Sequence, residues 1–152
     1  MRFDLDIKGD QKVVDNLDDL AHRASNLKPV FEAVANIFAA GIKHTWATKG
    51  AYIDKPWPQL AAATVERKAR EGKSPEMLRA TGVLQRSVLD NIYTRIATTQ
   101  VRVGVQGSDQ YRARFHQGGT SQGMPARPLV GIAKQDRKEI FRLVLNHFEI
   151  KQ

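Results

Sequence analysis

The sequence predicts an α+β fold: a small antiparallel sheet of three or four strands, with two long helices packed on one face and short helices in the loops. Three observations lead there. Side chains suited to a covered face recur at every second position at Phe3, Leu5 and Ile7, at Ile92, Thr94 and Ile96, and at Val101, Val103 and Val105, which is the period of a half-buried strand. Elsewhere apolar residues recur every third or fourth position over long stretches, as on one side of a helix. Glycine and proline gather between these stretches, and 152 residues suit a single domain, 1–152.

Taken in order, residues 2–8 read as a strand that Gly9 ends, and Asp10 is placed to cap a helix. Val13, Val14, Leu17, Leu20, Ala21 and Ala24 form the apolar side of that helix, with Asp15, Asp18 and Asp19 outside it. Pro29 opens a second helix, because its missing N–H would be unpaired in the first turn anyway. Phe31, Val34, Ile37, Phe38, Ile42 and Thr45 give this helix a broad apolar stripe to about Thr48, as expected of a central helix. Pro56 and Pro58 then forbid helix, so residues 49–60 read as a loop anchored by Trp57. A third helix spans Ala61 to Glu71, with Arg67, Lys68 and Arg70 near the end where cations complement the helix dipole. Thr81 is the expected cap of a short fourth helix.

Residues 91–97 and 100–106 read as a hairpin, whose turn lacks the Asn-Gly or Asp-Gly of a tight primed turn and therefore calls for a bulge or a longer connection. A short helix follows at Tyr111–Gln117, then a glycine- and proline-rich loop at 118–128. Gln135 to Phe148 closes the chain with Ile140, Leu143, Val144 and His147 on one side.

Composition excludes several kinds of chemistry. There is no cysteine, hence no disulfide scaffold, thiolate metal site or cysteine nucleophile. The opening residues lack an apolar signal core and no stretch has the ~20 apolar residues of a membrane span, so a cytoplasmic product with no membrane partner is expected. The 24 Lys and Arg exceed the 16 Asp and Glu, but unevenly: residues 1–42 sum to −2, 43–102 to +6 and 103–152 to +4. An acidic head and a basic remainder could recognise each other between copies. Solvated helix faces explain the same distribution.

Catalytic patterns are missing. His22, His44, His116 and His147 have no metal-ligand spacing, and neither a nucleophile elbow nor a phosphate loop occurs. Asp109, His116 and Ser121 can be drawn as a triad, but nothing beside them supplies an oxyanion hole. A non-enzymatic protein without cofactor or metal is expected. A small basic nucleic-acid-binding module is the alternative, although the basic segments lack interleaved aromatics for base stacking.

Five fragments in order carry a resemblance: Trp57-Pro58-Gln59-Leu60 with Thr64 and Lys68; Leu78 with Thr81-Gly82, Leu84 and Ser87; Val103-Gly104-Val105; Ala113-Arg114-Phe115-His116-Gln117 with Gly119; and Met124-Pro125-Ala126-Arg127-Pro128. Over roughly residues 55 to 132 the chain resembles the phage virion morphogenesis, or tail completion, proteins of tailed phages and Mu-like prophages. It departs from their pattern at Arg112, where a tyrosine is usual, and at Gly118, where a phenylalanine or leucine often stands. The resemblance implies a tail completion or terminator-like fold. It also implies a ring of copies, most simply a hexamer, that completes the tail at the head–tail joint. The partners implied are the chain itself, neck or connector and tail tube proteins, and genomic DNA passing through the lumen without sequence readout. The place of action implied is the virion, with assembly in the host cytoplasm.

The residues of these fragments read as architectural or intersubunit positions. Trp57 and Leu60 are expected to pin a loop, Thr81 and Gly82 to start a helix, and Gly104 to permit close backbone approach. His116 and Gln117 are expected to satisfy backbone groups of the long loop. Arg127 offers a planar fork of donors to a carboxylate or a backbone carbonyl, either in an intrachain salt bridge or at a neighbouring subunit.

Overall fold

A computed structural model describes residues 10–106 and 110–149. The candidate strand 2–8, Gly9, the side chain of Asp10 offered as a cap, and Asp109 lie outside the described residues. Six helices and one hairpin make up the rest: α1 (Asp10–Ser25), α2 (Lys28–Ala47), α3 (Ala62–Arg70), α4 (Val83–Asp90), β1 (Ile92–Ile96), β2 (Val101–Val105), α5 (Gln110–Gly118) and α6 (Lys134–Phe148). The α+β class is as the sequence predicts. Among the described residues the sheet has two strands rather than three or four.

β1 and β2 run antiparallel with Ile92 opposite Val105 and Ile96 opposite Val101. The four residues 97–100 join them, closed by the Ala97 N–H to the Gln100 carbonyl at 2.9 Å. Thr98 at the tip accepts from the Leu27 N–H, also at 2.9 Å, which ties the turn to the start of α2. Gly104, expected to permit close backbone approach, is instead approached by a side chain. It lies opposite Tyr93, whose ring would stand 2.9 Å from a β-carbon at that position. An aromatic ring covering a glycine across the ladder restores the packing that a missing side chain gives up.

The helices form layers rather than a pair on one face. α2 lies across the hairpin, α6 lies on α2, and α1 meets α6. The core sits where α2 crosses the sheet: Ile42, Trp46, Trp57, Val88 and Leu129 are buried together, with Leu84, Leu89, Ile92 and Val103 packed around them. Trp46 and Trp57 meet edge to face at 5.5 Å. Tyr52, in the loop after α2, adds a polar tie to α6, its hydroxyl donating to the Asp136 carboxylate at 2.6 Å. No helix among the described residues is long and apolar enough to cross a membrane.

α1 departs most from expectation. Its apolar side is largely uncovered, with Val13, Val14 and Leu17 exposed. Periodicity marks a face as apolar without saying what covers it.

Candidate functional site

Four of the five fragments that stand apart in sequence converge on one cleft of about 600 Å³ between α3, the start of α4, α5 and the loop after α5; Val103-Gly104-Val105 does not line it. Leu60, Thr64, Lys68, Leu78, Thr81, Gly82, Leu84, His116, Met124, Pro125 and Arg127 all line it. Trp57 lies in the core, where its indole N–H donates to the Pro128 carbonyl at 2.8 Å. Its loop needs Gly50, which has φ of +87°. A β-carbon there would come within 2.1 Å of the Lys55 carbonyl oxygen and 2.7 Å of the Trp57 ring.

Of the acceptors expected for its fork, Arg127 takes backbone carbonyls, and among the described residues it enters no intrachain salt bridge. It is only 6% exposed, and its guanidinium donates to the main-chain carbonyls of Pro58 at 3.0 Å and Gln59 at 3.2 Å. Its own N–H donates to the His116 carbonyl at 2.6 Å. One residue therefore ties together the Trp57 loop, α5 and the proline-framed segment. Planar, two-pronged donation is what a guanidinium does and an ammonium cannot. Burial lowers its pKa from the usual guanidinium range.

Lys68 plays a similar part that its position near the end of α3 does not announce. The side chain is buried, and its Nζ donates to the carbonyls of Glu76 and Arg79, holding the 76–79 turn against α3. Burial lowers its pKa. Only its i+4 spacing from Thr64 in the first fragment hints at this role, since helix-dipole reasoning groups it with Arg67 and Arg70, which are exposed.

His116 and Gln117 divide the task expected of both. The Gln117 side chain acts like a short strand edge: its oxygen accepts from the N–H groups of Leu129 at 2.9 Å and Val130 at 3.0 Å, and its amide donates to the Val130 carbonyl at 2.7 Å. The His116 ring satisfies no backbone group through its buried Nδ1, which has no partner. Burial, and then the Arg127 charge, push its pKa below the usual 6.5, so the neutral ring is favoured.

Thr81 is not the cap of α4. Gly82 is, with φ of +79°, and no side chain caps the first turn. The chain enters the helix through a left-handed residue that a β-carbon disfavours, which leaves Thr81 one position outside. Gly119 has a related reason to be glycine: φ is +74°, and a β-carbon would lie 2.8 Å from the Met124 carbonyl oxygen.

Arg67, Lys68, Arg79, Arg112 and Arg127 give the cleft only cationic charge, and no carboxylate stands among its described lining residues. Arg79 pairs with Glu76 just outside it, at 2.9 Å. A second hollow of about 680 Å³, more apolar in character, opens on the opposite face of α5 by Val105, Tyr111, Arg114 and Gln117. Among the described residues no group of three or more His, Asp or Glu could hold a metal ion.

The sequence model of the phage virion morphogenesis family matches residues 9–149, from the start of α1 to the end of α6. The chain belongs to that family. No curated protein and no solved structure matches it significantly. The match extends well beyond the five fragments, taking in α1, α2 and α6. Phage virion morphogenesis assigns the chain to the building of a phage particle, as a virion-associated protein.

Proposed function

We propose that this member of the phage virion morphogenesis family is a non-enzymatic tail completion protein. It forms a ring, most simply a hexamer, that finishes the tail and joins it to the neck. Its neighbours are then copies of itself, the tail tube and the connector, with the genome passing through the lumen unread. The observation that carries this reading is the use made of the converging fragments. Arg127, Lys68 and Gln117 spend their polar groups on holding main-chain groups of neighbouring loops in register, which builds a rigid surface.

The test is a phage whose copy of this chain is deleted. Filled heads and full-length tails should accumulate unjoined, and adding purified protein should restore joined particles, with the subunit visible between head and tail by electron microscopy. Joined virions at normal yield without the chain would overturn the reading. Duplex binding by a stable monomer, weakening steeply with salt, would favour the nucleic-acid alternative instead.

A further inference from the structure

α1 is held to the rest of the chain near its C-terminal end. Arg23 donates to the carbonyls of His147 at 3.3 Å and Glu149 at 2.5 Å, while its side chain also pairs with Asp19. Towards the other end Val13 is 57% exposed, Val14 42% and Leu17 59%. α6 has a matching outer side. Its inner side packs on α2, but Phe141 and Leu145, one turn apart, are 62% and 51% exposed.

The charges around the two stripes are opposite. α1 carries four aspartates against one lysine and one arginine. α6 carries Lys134, Arg137, Lys138 and Arg142 against Glu139 and the buried Asp136. Among the described residues neither Arg137 nor Lys138 enters an ion pair, whereas Lys134 reaches Asp54 and Arg142 reaches Glu139. The helices are also of similar length, 16 and 15 residues, or about 24 and 22 Å at the usual helical rise.

We propose that α1 of one copy lays its Val13–Val14–Leu17 face on the Phe141–Leu145 stripe of α6 in a second copy, with aspartates facing cations along the rim. This deepens the ring reading and rests on it. Like charges set against each other disfavour α1 on α1 and α6 on α6, so unlike helices meet, and when each copy gives α1 to one neighbour and α6 to the other the contact is head to tail. A head-to-tail contact that repeats with a closing rotation makes a ring.

The absence of cysteine permits a direct test. A tagged chain with Leu17→Cys is mixed with a chain of different mass carrying Leu145→Cys, and a short bis-maleimide is added. Each chain then holds one thiol, so every cross-link lies between copies. The expected product is the mixed dimer, well in excess of either like-with-like dimer. Asp18→Lys and Lys138→Asp should each raise the concentration for half-assembly about tenfold, and the two changes together should recover most of that loss. Both positions are exposed, so circular dichroism and melting should stay as in the parent. Rings that form without the mixed cross-link, or that ignore the charge reversals, would overturn this contact and leave the ring reading standing. A chain that stays monomeric at every concentration and on tails would overturn both.

Discussion

Arg127→Ala tests whether the cleft is built by main-chain clamping. The residue is 6% exposed and its guanidinium donates to two carbonyls, Pro58 and Gln59. A hydrogen bond from a charged donor is worth about 1.5–3 kcal/mol net. The low end applies, because Pro58 and Gln59 are exposed residues whose carbonyls water can reach once the side chain is gone. Relief of the buried charge offsets part of the loss, which leaves a destabilisation of about 2–3 kcal/mol. For a chain of this size that lowers Tm by roughly 4 to 12 °C. Urea unfolding read by tryptophan fluorescence suits the question, because the Trp57 indole bonds the Pro128 carbonyl beside Arg127. Arg127→Lys keeps the charge but loses the fork, and should recover less than half of the stability. A midpoint within about 0.5 kcal/mol of the parent, combined with lost particle assembly, would refute the clamp and return Arg127 to the role of an intersubunit contact.

Gln117→Leu removes three bonds to the main chain of Leu129 and Val130, and should cost about 1–2 kcal/mol, with faster hydrogen exchange confined to those two amides and their neighbours. The Tyr52 phenol, hydrogen-bonded to the Asp136 carboxylate and partly buried, titrates above its ordinary 10.0. Its stabilisation is therefore present below pH 10 and lost as the pH rises through the raised value, and Tyr52→Phe should flatten that alkaline decline in a melting series. His116 has the opposite dependence. The unfolded chain takes up a proton near pH 6.5 more readily than the buried ring does, so stability present above that pH falls on acidification, and His116→Gln should reduce the fall between pH 7 and 5.

Legibility in the sequence followed how local the cause was. The helices and the hairpin stood where periodicity and proline placed them, within a residue or two, because each depends on neighbours along the chain. The cap of α4 was misassigned by one position, since whether Gly82 or Thr81 takes the left-handed conformation depends on how the preceding turn is held. The five fragments revealed a family, and with it a set of residues that matter, but not that residues of four of them share a cleft.

The sequence by itself determined the class of the fold, the absence of thiol chemistry, the uneven charge and the fragments that mark the family, all of which follow from residue type and short-range order. Only the tertiary structure decided the partners of the polar residues. Gln117 reads as a partner of backbone groups and Arg127 as a fork for a carboxylate or a carbonyl, but which groups they meet is fixed only when α5, the segment after it and the Trp57 loop have packed. A main-chain partner has no side-chain identity to read, which is the physical reason that the particular carbonyls and amides could not be named from the sequence.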